Sequence, residues 1–238
     1  MSACDTPGNS RDLFGRPLPS RPASPARQLP LPLTWSQAGQ GTASFQISES
    51  NREAVEHLQR FAEWSAPASL LIGPAGSGRS TLGQMFVAAG AGEVIDGLAN
   101  TDEEAVFHAW NRSHLNGQRL LIIADGDADL AAVRLPDLAT RLATAPIVRI
   151  AAPDTCLVRD LVEHLLVQRG LIPSLQLGSY VAARLDRSYT AIHAAVDAID
   201  AAAFAGGSQP GIRVARAALI DAGLYAPGVD TTDSTELL

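Results

Sequence analysis

The chain has 238 residues, 46% of them hydrophobic, with 25 acidic against 18 basic side chains and a net charge of −7. That is room for one α/β domain with a small companion, and too acidic a surface to wrap a nucleic acid broadly, since such binding rests on neutralising many phosphates. Two cysteines, Cys4 and Cys156, are too few for a disulfide framework or a zinc site, and no apolar run approaches the ~20 residues of a membrane helix, so a cytoplasmic protein without a membrane role is expected.

Residues 1–26 are polar and rich in Pro, Ser and Arg, and are expected to form a disordered tail. Residues 27–34 carry Gln28, Leu29, Pro30, Leu31, Pro32 and Leu33, whose prolines exclude helix and favour an extended peptide. After a Gly- and Ser-containing linker, Ala54, Val55, Leu58 and Phe61 recur at helical spacing over 51–64, with Ser50 or Asn51 as the cap. An α/β alternation follows: strands over 69–72, 93–96, 119–124 and 147–150, helices over 80–88, 102–115 and 137–142. This pattern implies a mostly parallel sheet in a nucleotide-binding core over 35–152. From 153 to about 225 the chain is alanine-rich and free of strand signals; three or four helices are expected there, then a flexible polar tail over 226–238.

Gly73, Pro74, Ala75, Gly76, Ser77, Gly78, Arg79 and Ser80 spell G-x-x-x-x-G-[K/R]-[S/T] between an apolar strand and a helix. The glycines let the backbone curl so that its N–H groups point at phosphate oxygens, and the helix starting near Arg79 adds its positive end. Ser80 stands where a hydroxyl ligates Mg2+, and Thr81 follows within the same turn. The loop therefore reads as a site for the phosphates of ADP or ATP, the alternative being a decayed loop that no longer binds. Arg79 replaces the usual lysine. A planar guanidinium neutralises phosphate but fits less well where a γ-phosphoryl must be positioned for attack.

Such a site needs a carboxylate at the end of a neighbouring strand to hold Mg2+. Asp96 follows Val94 and Ile95; Asp125 follows the longer apolar run 120–124. Apolar strength favours Asp125. Order along the chain favours Asp96, because choosing Asp125 leaves no strand between it and the helix at 137–142. Asp96 is preferred, and Asp125 then falls where related ATPases carry a polar sensor of the γ-phosphate. Gly97 follows Asp96 and Gly126 follows Asp125, so the hydrolytic base is absent from its usual place. Asp102 and Glu103 are nearby acids whose polar setting reads as a solvated first helical turn. His108, His114, His164 and His193 lie on separate helical segments without metal-ligand spacing and read as structural, as do Trp35, Trp64 and Trp110.

Over residues 27–222 the P-loop, the segment Leu135-Pro136-Asp137-Leu138-Ala139-Thr140-Arg141-Leu142 and the peptide 28–33 together resemble the DnaA-related AAA+ regulators, the Hda (HdaA) group of bacterial replication control. The resemblance implies an AAA+ core with strand order 5-1-4-3 and a helical lid. The stretch between the P-loop helix and Asp96 leaves no room for the fold's usual second strand, so four parallel strands are expected. It also implies roles by position. Gln28, Leu29, Leu31 and Leu33 match the peptide that docks on the sliding clamp of the replicative polymerase, the alternative being a strand packed on its own domain. Arg141 matches the arginine finger that reaches the γ-phosphate in a neighbouring subunit, the alternative being a surface salt bridge. Arg187 matches the sensor arginine of the lid.

On this resemblance the chain is a negative regulator of replication initiation that binds the clamp and stimulates hydrolysis of ATP held by DnaA. It would have little turnover of its own, and an arginine acting in trans makes a homodimer an open arrangement. Unlike DnaA, the chain carries no basic helix-turn-helix after the lid, so direct sequence-specific DNA binding is not expected. The competing readings are a self-sufficient AAA+ ATPase of helicase-loader or remodeller type, and a clamp adaptor that works without nucleotide.

Overall fold

The computed structural model describes residues 45–225; the peptide 28–33, Trp35 and both terminal tails lie outside the described residues. The first helix, α1 (Arg52–Gln59), buries Ala54, Val55 and Leu58 at the expected spacing, and a 3-10 turn (Phe61–Glu63) follows. Asn51 holds the cap position, yet its side chain serves the preceding loop. Its Oδ1 accepts from the Ser48 amide at 2.9 Å, and its Nδ2 donates to the Gln46 carbonyl at 2.8 Å. The entry to α1 is thus fixed from the N-terminal side.

The α/β unit then runs β1 (Ala68–Ile72), α2 (Arg79–Ala88), β2 (Gly92–Asp96), α3 (Glu103–Asn116), β3 (Arg119–Ala124), α4 (Asp127–Ala131), α5 (Pro136–Thr144) and β4 (Ile147–Arg149). The strands form one parallel four-stranded sheet in the order β2-β3-β1-β4. With the second strand of the fold missing, these correspond to its strands 3-4-1-5, which is the expected order. Register pairs Ile72 of β1 with Ala124 of β3 and Arg149 of β4, so all three carboxyl ends open at one edge. The short acidic helix α4 was not expected, because five residues give too little periodicity to read.

β1 and β3 are buried on both faces, as central parallel strands must be. Leu71, Leu121, Ile123 and Val148 face α1, α2 and the C-terminal helices. Leu70, Ile72, Leu120 and Ile122 face α3 and α5, against Val106, Trp110, Leu138 and Leu142. Each such side chain contributes about 1.5–3 kcal/mol relative to exposure. Trp64 lies between His57 and Phe86, with ring centroids at 4.9 and 5.5 Å, and donates its indole N–H to the His57 carbonyl. It is a packing residue, as expected.

Beyond β4 the described chain is helical: α6 (Thr155–Gln168), α7 (Leu177–Ala182), α8 (Tyr189–Gly206) and α9 (Ile212–Asp221). Asp154 and Ser188 cap α6 and α8 by accepting from the amides of Leu157 and Ala191. Among the described residues no helix is long and apolar enough to cross a membrane.

Candidate functional site

The loop leaves β1 at Gly73 and enters α2 at Arg79, at the carboxyl edge of the sheet. Gly76 and Gly78 adopt φ of +76° and +86°, the left-handed region that a side chain resists. Gly73 is needed for space: a Cβ there would stand 2.9 Å from Ile150 Cβ and 3.1 Å from Ser77 Oγ. Ser77 is only 5% exposed, and its Oγ has no hydrogen-bond partner among the described residues. A buried hydroxyl without a partner in a loop of this sequence fits a site for a phosphate oxygen. Ser80 is exposed on the first turn of α2, and Thr81 is half-buried beside it.

The Arg79 side chain passes beside Gly73 and reaches the end of β3. Its Nη1 donates to the Ala124 carbonyl at 2.5 Å, and its Nη2 pairs with the Asp125 carboxylate. The Arg79 side chain is 11% exposed and that of Asp125 74%. The guanidinium thus ties the P-loop to the end of β3, using the fork geometry that a lysine lacks. The backbone N–H of Asp125 in turn donates to Asp129 Oδ2 of α4 at 2.7 Å. Next to it, Arg149 of β4 pairs with Asp127 at 2.7 Å.

Asp96 is exposed at the end of β2, level with Ile123 and one strand further from β1 than Asp125. Of the two carboxylates, Asp125 is the one bonded to the P-loop arginine. Among the described residues no group of three His, Cys, Asp or Glu side chains is gathered for a metal ion. A Mg2+ at this edge would rest on Ser80, Asp96 and phosphate oxygens, the usual style of a magnesium that arrives with its nucleotide.

Glu103 is not a substitute base. Its carboxylate accepts from the Arg134 amide at 3.0 and 3.1 Å and from the Leu135 amide at 2.6 Å. These backbone hydrogen bonds hold the Glu103 carboxyl below the usual carboxylate range. It clasps the start of α5, where Pro136 leaves no amide of its own to bond. Arg141, further along α5, donates from Nη1 to Asn111 Oδ1 at 2.6 Å and lies 4.3 Å above the Phe107 ring. Glu103, Phe107 and Asn111 are spaced four apart and so share one face of α3. That ridge seats the helix carrying Arg141, and sequence reasoning did not see it. Arg187 is exposed in the turn before α8.

Three further residues come to the P-loop unannounced by the sequence. Phe45 stands against Gly78, its Cε2 2.7 Å from where a Cβ would be. Tyr189 and His193, one turn apart on α8, stand against Gly76. The Tyr189 hydroxyl donates to the Ala151 carbonyl at 3.2 Å, and burial pushes its ionisation up.

No protein-family model and no curated protein matches the sequence. Solved structures do match in fold. Domain III of the replication initiation protein DnaA from Thermotoga maritima superposes with a TM-score of 0.61 at 13% identity, over 74% of this chain and 93% of that one. The T158V form of Thermotoga maritima RuvB gives 0.53 at 10% identity, over 74% and 70%. AMPPCP-bound DnaA from Aquifex aeolicus gives 0.53 at 16% identity, over 68% and 65%. At these identities the likeness concerns architecture: the chain has the P-loop AAA+ fold of DnaA domain III and RuvB, with a four-stranded parallel sheet.

Proposed function

We propose that the protein is a nucleotide-holding negative regulator of replication initiation, of the Hda kind. It docks on the polymerase sliding clamp through residues 28–33 and supplies Arg141 to ATP bound by DnaA. The observation that carries this reading is the engagement of Arg79 with Asp125 and the Ala124 carbonyl. The cation of the P-loop and the polar group at the end of β3 are paired with one another. Gly97 follows Asp96, so no carboxylate stands in the next position to orient a water. A site built this way holds ADP or ATP as a strut and does little hydrolysis.

The chain's contribution to chemistry is then made elsewhere. Arg141 sits on α5, half-exposed, and among the described residues its guanidinium meets Asn111 and Phe107 of the α3 ridge. A guanidinium offered from there to a neighbouring AAA+ site would stabilise charge on a transferring phosphoryl group, an effect of about 10³–10⁵ in rate where fingers act in trans. Docking on the clamp would raise its local concentration at DNA. The test is hydrolysis of DnaA-bound ATP in the presence of clamp-loaded DNA, with wild type and Arg141→Ala. Stimulation by wild type that is lost in the variant is expected. Equal rates with both proteins, or with neither, would remove the reading.

The same ion pair also favours a second reading, a clamp adaptor in which the P-loop is closed on itself. Calorimetry separates them: ADP and ATP both failing to bind, with clamp binding intact, selects the adaptor.

A further inference from the structure

We infer that His193 is the lid's own contact on the phosphate loop, a latch through which nucleotide in the loop and the seating of α8 are coupled. The inference rests on the reading of Gly73–Ser80 as a nucleotide site. His193 Nε2 lies 3.3 Å from the Gly76 carbonyl, a bond that joins residues 117 positions apart, with the imidazole N–H donating. The ring also fills the space beside Gly76, its Cδ2 3.1 Å from where a Cβ would stand. Gly76 is held at φ +76°, so its carbonyl direction is set by the left-handed turn that also sets the loop's amides.

The latch is braced from behind. Tyr189, one turn earlier on α8, is fully packed, has its Cβ 3.5 Å from where a Cβ on Gly76 would stand, and donates to the Ala151 carbonyl. Ala151 in turn donates its amide to the Ser50 carbonyl, just ahead of α1. α8 therefore cannot move over the loop without breaking a run of bonds that ends on the N-terminal side of the core. Phosphate entering the loop fixes the amides of 76–78, and with them the Gly76 carbonyl on which His193 sits. A loop that is ordered by nucleotide offers His193 a fixed acceptor, and a seated His193 favours the loop conformation that binds, as linkage requires.

The experiment is amide hydrogen exchange on the full chain, with and without ADP, paired with calorimetry of ADP binding, for wild type, His193→Ala and His193→Gln. In wild type, ADP is expected to slow exchange in 73–80 and in the first turns of α8 together. In His193→Ala the loop still responds, the start of α8 no longer does, and ADP binds about 2- to 12-fold more weakly, the range for one neutral hydrogen bond. His193→Gln keeps a donor and is expected to retain most of the α8 response. Slowing of α8 by ADP to the same extent in His193→Ala as in wild type overturns the latch. If wild type binds ADP by calorimetry while α8 stays unresponsive, the coupling alone fails; if wild type binds no ADP, the nucleotide reading fails with it.

Discussion

Arg141 and Asn111 are joined by a 2.6 Å hydrogen bond between α5 and α3, and the bond fixes which way the guanidinium faces. Phe107 beneath it supplies a flat support at 4.3 Å. A charge that acts across an interface must arrive in one orientation, since a misplacement of about 1 Å can cost 10²-fold. Asn111→Ala and Phe107→Leu are therefore expected to lower stimulated hydrolysis of DnaA-bound ATP by up to about 10²-fold, less than Arg141→Ala. Their thermal stability should change little. Asn111→Ala stimulating as well as wild type would show that the seat does not matter.

Asp125 engages the Arg79 guanidinium, so releasing it should favour phosphate. Asp125 is largely exposed, and such pairs are worth at most about 1 kcal/mol. Asp125→Asn is expected to raise ADP affinity by no more than about fivefold. Calorimetry reads this directly, and a loss of affinity would mean that Asp125 itself contacts the nucleotide or its metal.

Two groups give stability a pH dependence of the same sign. The Glu103 carboxyl is held below its usual value by the amides of Arg134 and Leu135. Its contribution is present above the ordinary carboxylate range and is lost as pH falls through the lowered folded value. His57 is lowered chiefly by burial, against a smaller opposing effect of Glu53, and it is stacked on Trp64 and bonded to Ser69. The fold prefers it neutral, so protonation of the unfolded chain erodes stability as pH falls below about 6.5. Urea unfolding between pH 7.5 and 2.5 should show two declining limbs. His57→Gln is expected to flatten the upper one, and Glu103→Gln the lower one.

Gly92 opens β2 where a Cβ would stand 1.7 Å from the Arg119 carbonyl oxygen, which is backbone and cannot swing away. Gly92→Ala is expected to cost about 3 kcal/mol, the upper end of ordinary overpacking, measured by urea unfolding. A loss below about 1 kcal/mol would show that β2 shifts freely against β3.

What the sequence made legible follows from how local each signal is. The run Arg119–Ala124 was readable to the residue because a strand buried on both faces admits little but apolar side chains. The P-loop was readable because its glycines and its flanks are contiguous. The cap was legible only as Ser50 or Asn51; Asn51 takes it, and its bonding was not legible, since the choice between Ser48, Gln46 and the helix amides is made by the fold of 45–50. Glu103 looked like a solvated helix start because its partners, Arg134 and Leu135, lie about thirty residues on. His193 left no trace at all. A lone histidine in an alanine-rich helix has meaning only once α8 is laid across a loop 117 residues away.

The apolar cluster on one face of the sheet does not stop where the α/β alternation stops. Leu58 of α1, Phe86 of α2 and Leu71 of β1 share it with Val162 of α6, Val181 of α7, Ile192 of α8 and Leu219 of α9. The C-terminal helices are thus no expendable module. Cutting the chain near Pro153 would strip one side of the sheet and leave an insoluble remnant in place of a smaller nucleotide-binding protein. Heat should melt both halves in one cooperative transition, with calorimetric and van't Hoff enthalpies in agreement.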